Sequence, residues 1–256
     1  NPLIIHYLNL DQLKRDVKLN ANFFRLYKKF SPGPLTFVLK KKKNTLLSNM
    51  ATAKLKTVAV RFPKNKILRK ILKSLNFPLA IPSANKSSHI SPVSAEDVAQ
   101  EFKGSLKMIV NDGQSKIGLE STVIDLTSRP KVLRPGLISP ADISKIIKKK
   151  IKVNNNSKII KAPGMLKRHY SPGIPLKLNQ IKAKNNEAFI VFGNKYKKGK
   201  NIFNLSLKSN LNEAAKNLYK IMRLIKNKNY KMIRVCSIPL KGIGLAINDR
   251  LNRAAK

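Results

Sequence analysis

Tryptophan is absent from this chain of 256 residues, aromatics make up only 6%, and there is a single cysteine. With so few rings, a core has to rest on Ile, Leu and Val. One thiol, Cys236, excludes an internal disulfide and any zinc site built on cysteines. It stands in the apolar run 232–240 and reads as a buried strand residue, as free cysteines commonly are. Acids are scarce as well: 12 Asp and Glu face 53 Lys and Arg, a net charge of +41. That shortage argues against paired-carboxylate acid–base chemistry. The three histidines, His6, His89 and His169, are too scattered to suggest a metal triad. No Gly-rich Walker loop and no nucleophile elbow is present. Gly242-Ile243-Gly244 lacks the rest of a dinucleotide fingerprint and reads as a helix-entry turn. No run approaches the ~20 apolar residues of a membrane-spanning helix. With no secretory signal visible, the cytoplasm is the expected compartment, without a membrane partner.

What is present supports a folded α/β protein. Apolar residues reach 42%, enough for a packed core. The positive charge attracts polyanions such as tRNA or nucleotides. Lys, Asn and Ile are also favoured by A/T-rich codons, so the charge has two explanations that composition does not separate. Short β-branched runs at 36–39, 57–60, 108–110 and 122–126 read as buried strands. Helical segments lie between them: 22–30, then 64–75 with Ile67, Ile71, Leu72 and Leu75 on one face, then helices opening at Ser94 and at Ser139-Pro140. Residues 148–157 are basic and Asn-rich and read as a solvated linker. The stretch 158–175 holds three Pro and two Gly and reads as an ordered connector. From 188 a strand, an amphipathic helix over 210–225, a strand over 232–238 and a helix over 245–255 predict a small parallel α/β domain.

Several polar groups fall at predicted strand ends. Pro82-Ser83-Ala84-Asn85 and Ser91-Pro92 follow the apolar run 77–81. Ligands in open α/β sheets sit outside the carboxyl ends of strands, although on spacing alone a plain Ser/Asn turn is the better account of this string. Arg61 ends the run 57–61, Arg134 ends 131–134, and Glu120-Ser121-Thr122 begins another strand. A guanidinium in such a place can clamp a carboxylate or phosphate with two parallel hydrogen bonds. Convergence of these ends favours an anion-binding cleft over separate accidents. Ser31-Pro32-Gly33-Pro34 is a rigid turn whose backbone could approach a ligand.

Taken together, the strings NPLIIH (1–6), SPGPLTFVL (31–39), TVAVRFP (57–63), PLAIPSAN (78–85), IGLESTVIDL (117–126), LRPGLIS (133–139), PGMLKRHYSP (163–172) and GLAINDRLNRAA (244–255) resemble the YrdC-type L-threonylcarbamoyladenylate synthases in their long form. The resemblance implies a YrdC-like twisted open sheet domain over 1–150. A linker over 151–175 would fold over the active site, and a Rossmann-like α/β domain would occupy 176–256. It implies a nucleotidyltransferase that joins L-threonine, bicarbonate and ATP into threonylcarbamoyl-AMP and pyrophosphate for tRNA modification. A tRNA-modifying transferase complex would be its partner. Residues carried over by motif are His6, Arg61, Ile81 (backbone) and Ser121 for threonine. For ATP they are Asn1, Thr57, Ser83, Asn85, Ser91, Arg134 and Tyr170. Mg²⁺ would be bound through ATP phosphates, and no protein nucleophile is needed. The family's Lys-x-Arg motif and Thr-containing first segment are not in this sequence, so an N-terminal part is expected to be missing. Asn65 stands where many members have His. The alternative is a catalytically inactive protein on the same fold that binds tRNA or double-stranded RNA.

Overall fold

The computed structural model describes residues 1–153, 160–166 and 168–256. In chain order the elements are β1 (Ile4–His6), α1 (Leu10–Asp16), β2 (Val17–Lys18), α2 (Ala21–Phe30), β3 (Leu35–Lys41), β4 (Thr57–Arg61), α3 (Lys66–Ser74), β5 (Leu79–Ala80), α4 (Ala95–Phe102), β6 (Thr122–Asp125), β7 (Lys131–Arg134), α5 (Pro140–Ile147), β8 (Lys152–Val153), β9 (Leu176–Lys177), β10 (Glu187–Val191), β11 (Ile202–Asn204), α6 (Leu211–Lys226), β12 (Met232–Val235) and α7 (Gly244–Ala254). They divide into two compact units that are not contiguous in sequence. The first is Asn1–Pro82 with Glu120–Leu166; the second is Ser83–Leu119 with Lys167–Lys256.

The first unit holds an eight-stranded mixed sheet in the order β5-β1-β4-β3-β6-β7-β8, with β2 beside β3. The pairs β1/β4, β3/β6 and β7/β8 are parallel, whereas β1/β5, β3/β4 and β6/β7 are antiparallel. This arrangement brings the carboxyl ends of β1, β4 and β7 to the same end of the sheet as the amino ends of β3 and β6. Side chains alternate between faces. One face packs Ile5, Phe37, Leu39, Val58, Val60, Ile124 and Val132 against Leu13 of α1, Phe23 and Leu26 of α2, and Ile143 and Ile147 of α5. The other face sets Ile4, Val38, Ala59, Val123 and Leu133 beneath Ala162 and Met165, with Ile160 alongside. Burial on both faces explains why these strands read as continuous apolar runs.

Helix entries follow local chemistry. Asn9, Asn20 and Asn65 cap α1, α2 and α3, each accepting a backbone N–H with its side-chain oxygen. Such a cap is worth about 1 kcal/mol. Asn65, the departure from the family pattern, therefore has a structural role. Ser139 and Asp142 complete a capping box around Pro140.

The second unit contains a four-stranded parallel sheet, β11-β10-β12-β9. α6, the amphipathic helix expected over 210–225, buries Ala214, Ala215, Leu218, Tyr219, Met222 and Ile225. Cys236 is buried one residue past β12. Segment 83–119 belongs to this unit. Arg223 of α6 donates to the Ile90 and Ser91 carbonyls and pairs with Asp97 and Glu101 of α4.

Three expectations need correction. Residues 108–110 form no strand, and Met108 and Val110 are exposed; strand propensity needs a partner to act on, and none pairs there among the described residues. α3 buries only Leu72, and Ile71 points outward. The linker over 148–157 supplies β8, which pairs with β7 at the sheet edge; residues 154–157 lie outside the described residues. No helix among the described residues is long and apolar enough to cross a membrane.

Candidate active site

The end of the sheet defined by the carboxyl ends of β1, β4 and β7 gathers most of the polar groups singled out in the first unit. His6 ends β1 and is in register with Arg61, which ends β4. Thr36, at the start of β3, is opposite Arg61 on the other side. Ser121 immediately precedes β6, and Arg134 ends β7. The turn at 31–34 is pinned to this end: Gly33 N–H donates to the Phe62 carbonyl at 2.9 Å, and the Pro34 carbonyl accepts from Thr122 N–H at 3.0 Å. A Cβ at Gly33 would run into the Phe30 carbonyl oxygen, and one at Gly136 into the Thr122 amide nitrogen. Both glycines are therefore required by close backbone approach.

A hydrogen-bonded knot holds the polar side chains. Thr36 Oγ1 and Ser121 Oγ lie 2.7 Å apart, both buried. Arg134, 3% exposed, donates from Nε and Nη2 to the Ser121 carbonyl at 3.1 and 2.9 Å. Its Nη2 also reaches Ser121 Oγ at 3.1 Å, and Nη1 the Pro163 carbonyl at 3.1 Å. Arg61 donates from Nε to the Gly33 carbonyl at 3.1 Å. All these acceptors are neutral. Among the described residues, neither guanidinium has a carboxylate partner.

The electrostatics follow from that imbalance. Burial, and then the charge of Arg134, pull Arg61 down to about 10. Burial, and then Arg61, pull His6 down to about 4, against the opposing pull of the Ile4 and Leu79 carbonyls. His6 is therefore neutral at pH 7, while two partly or fully buried cations remain. Desolvated charge without a counter-charge is costly, and a bound anion relieves it.

Residues 160–166 lie on the apolar part of the same face. Lys161 Nζ bonds Asp125 Oδ2 at 2.9 Å and Thr127 Oγ1 at 3.2 Å. Burial would raise the Asp125 carboxyl, but the bonds from Thr127 and Lys161 outweigh it and hold it low.

Asn1, Thr57 and Ile81 lie elsewhere in the first unit. Thr57 shares a face with Arg61 but begins β4, four residues and thus about 13 Å away. Asn1 is exposed and precedes β1. Ile81 donates its N–H to the Ile4 carbonyl at 3.1 Å.

The remaining proposed ATP residues belong to the second unit, where they form their own group. Asn85 donates from Nδ2 to the Lys86 and His89 carbonyls at 2.8 and 3.2 Å, while its buried Oδ1 has no hydrogen-bond partner among the described residues. Ser83 is exposed and its carbonyl accepts from Asn85 N–H; Ser91 is buried. Ser171 N–H donates to the Ser88 carbonyl at 2.9 Å, which sets the connector beside this loop. Tyr170 is 1% exposed. Thr36 and the Lys161–Asp125 pair were not singled out from the sequence. Their only signal was a polar residue inside an apolar run.

A mixed sheet whose one end concentrates buried guanidinium and hydroxyl groups, together with a parallel α/β sheet unit, defines a two-unit α/β protein. Residues 1–136 match the Sua5/YciO/YrdC family, described as telomere recombination. Residues 138–256 match the Sua5 C-terminal family, described as the threonylcarbamoyl-AMP synthase C-terminal domain. The chain is 35% identical over 277 residues to the threonylcarbamoyl-AMP synthase of Pyrococcus abyssi, covering 100% of this chain and 80% of that protein. It is 32% identical over 281 residues to the Bacillus subtilis enzyme of the same name, covering 100% and 79%. The crystal structure of P. abyssi Sua5 complexed with L-threonine superposes with a TM-score of 0.90 at 34% identity, again over 100% of this chain and 80% of that one. The chain belongs to the Sua5 family of threonylcarbamoyl-AMP synthases.

Proposed function

We infer that the chain is an enzyme that makes threonylcarbamoyl-AMP and pyrophosphate from L-threonine, bicarbonate and ATP, for modification of tRNA. The observation that supports this reading most is the pair of guanidiniums, Arg61 and Arg134, at one sheet end and without carboxylate partners among the described residues. A relative with the same fold binds L-threonine. In this reading Arg61 takes the threonine carboxylate. His6, neutral at working pH, adds no third charge, and Ser121 lines the amino-acid site; the Ile81 backbone, whose N–H already bonds the Ile4 carbonyl, is assigned to it by the motif resemblance alone. For ATP, this reading takes Arg134 at the sheet end of the first unit and, in the second unit, Ser83, Asn85, Ser91 and Tyr170; Asn1 and Thr57, which lie elsewhere in the first unit, are assigned to ATP by the motif resemblance alone. The orphan Oδ1 of Asn85 is an acceptor suited to a ligand N–H.

The chemistry needs orientation more than a protein nucleophile. The threonine amine attacks the carbon derived from bicarbonate, giving a carbamate with loss of water. A carbamate oxygen then attacks the α-phosphorus of ATP, and the α–β phosphoanhydride bond breaks to release pyrophosphate, a nucleotidyl transfer. Anionic reactants repel one another, and preorganised cations and hydroxyls offset that repulsion. Among the described residues, no group of three His, Cys, Asp or Glu is placed to hold a metal. The donors here are cations and neutral dipoles, which fits Mg²⁺ carried in on the ATP phosphates. The product would pass to a tRNA-modifying transferase complex.

The catalytically inactive RNA-binding alternative is not favoured: the relatives that match the full chain at 32–35% identity are named threonylcarbamoyl-AMP synthases, and one is solved with L-threonine. Pyrophosphate release should require ATP, threonine and bicarbonate together; release with ATP alone, or none at all, would overturn the assignment. Arg61→Lys should raise the threonine KM about tenfold or more, because an ammonium cannot bond the Gly33 carbonyl and a carboxylate with one planar fork. An unchanged KM would remove Arg61 from the amino-acid site.

A further inference from the structure

In the second unit, α7 carries three charged side chains that are all buried: Asp249 at 7%, Arg250 at 1% and Arg253 at 6%. One carboxylate orients both arginines. Arg250 Nη1 bonds Asp249 Oδ2 at 2.7 Å, and Arg253, one turn on, donates from Nε to both Asp249 oxygens at 3.2 Å. A buried ionic group of this kind stabilises a fold weakly, and its best-attested use is to fix a specific arrangement. What it fixes here is the connector. The Arg250 guanidinium lies 5.1 Å from the centroid of the Tyr170 ring, and Tyr219 of α6 stacks against that ring at 5.8 Å and 22°. The Arg253 carbonyl accepts from His169 N–H at 3.2 Å, and His169 Nδ1 accepts from Tyr170 N–H at 2.9 Å.

The backbone of Tyr170 adds an independent sign. Its φ is +62°, a left-handed conformation that a bulky residue rarely adopts. Such a conformation persists only where the surroundings over-determine it, and it concentrates at functional segments. A planar guanidinium over one part of the ring sets its plane in a way an ammonium cannot.

We propose that Asp249, Arg250 and Arg253 are positioning residues, forming a clasp that fixes the His169–Tyr170 pair for nucleotide binding. Arg250 sets the ring plane, the Arg253 carbonyl sets the chain path, and Asp249 aligns both arginines. The inference rests on the reading of Tyr170 as an ATP residue, and its test separates the two ideas.

Hydrogen exchange at the His169 and Tyr170 amides reads the clasp directly, without activity. In Arg250→Ala, Arg250→Lys and Asp249→Asn these amides should exchange faster than in the parent while α6 amides keep their protection. In the same variants the ATP KM should rise, about tenfold for Arg250→Ala, with kcat and the threonine KM within about twofold. Adding Arg250→Ala to Tyr170→Ala should raise the ATP KM no further, since both act through one ring. Unchanged exchange at these two amides would overturn the clasp whatever Tyr170 does. Faster exchange with an unchanged ATP KM in both Arg250→Ala and Tyr170→Ala would overturn the nucleotide role while leaving the contact. Should Arg250→Ala fail to fold, Arg250→Lys, which keeps the charge and loses the plane, carries the same test.

Discussion

Ser121→Ala tests the polar knot most directly. The substitution removes the 2.7 Å bond to Thr36 Oγ1 and the 3.1 Å bond from Arg134, but leaves the Ser121 carbonyl on which Arg134 is anchored. Thr36 is fully buried, so its hydroxyl loses its partner with no access to water. A buried group left unsatisfied costs about 1–3 kcal/mol, and a bond to a charged donor about 1.5–3. Part of the Arg134 bond is recovered at the carbonyl, which places the expected loss of stability at about 2–3 kcal/mol. Thr36→Val alone should cost about 1 kcal/mol, since Ser121 Oγ keeps Arg134. The double variant removes both ends of the shared bond and should lose less than the sum, with a coupling of about 1 kcal/mol. Urea unfolding followed by circular dichroism measures all three, with the midpoint read at constant slope. Calorimetric threonine titration should show Ser121→Ala weaker by about tenfold, or ~1.4 kcal/mol. Strict additivity of the two single variants would refute the shared bond, and an unaltered threonine affinity would refute the placement of Ser121 in the site.

Other consequences follow from buried titratable groups. Because folding lowers His6 from 6.5 to about 4, the unfolded chain binds more protons between those values. Stability should therefore fall as pH drops from 6.5 to 4 and flatten below, by up to about 3 kcal/mol; His6→Gln should remove that slope, and an unchanged profile would contradict the burial of a neutral ring. Asp125 is held below its ordinary value of 3.8, so its contribution is present above that value and lost as pH falls through the lower folded one. Lys161→Ala should cost about 3 kcal/mol by leaving a buried carboxylate without its cation, and should speed protease cleavage near residues 160–166; equal cleavage would show that the pair does not anchor this segment.

Much was legible in the sequence because it depends on local chemistry. Ser94 and Ser139 announced helices through groups that cap their own backbone, whereas Asn20 and Asn65, which cap in the same way, were not read as caps. The stripe of α6 repeats at helical spacing whatever it packs against. Arg61 and Arg134 were recognisable at strand ends because the apolar run stops there. Thr36 was passed over, since a hydroxyl inside a β-branched run looks like ordinary strand composition until its neighbour across the sheet is known.

Strand order lay beyond that reach. Residues 108–110 have strand chemistry and no partner, whereas 152–153 have linker chemistry and pair with β7. Pairing is decided by what stands alongside, and a one-dimensional pattern does not carry that information. Composition bounded a basic protein with few acids, the alternation of short apolar runs and amphipathic segments indicated the α/β class, and the ordered strings pointed to its family. Only the tertiary structure decided that His6, Thr36, Arg61, Ser121 and Arg134 share one sheet end, because antiparallel insertion of β3 and β6 turns their amino ends toward the carboxyl ends of β1, β4 and β7. It also decided the protonation of His6, which depends on burial and on a guanidinium that is 55 residues away in the chain and adjacent in register.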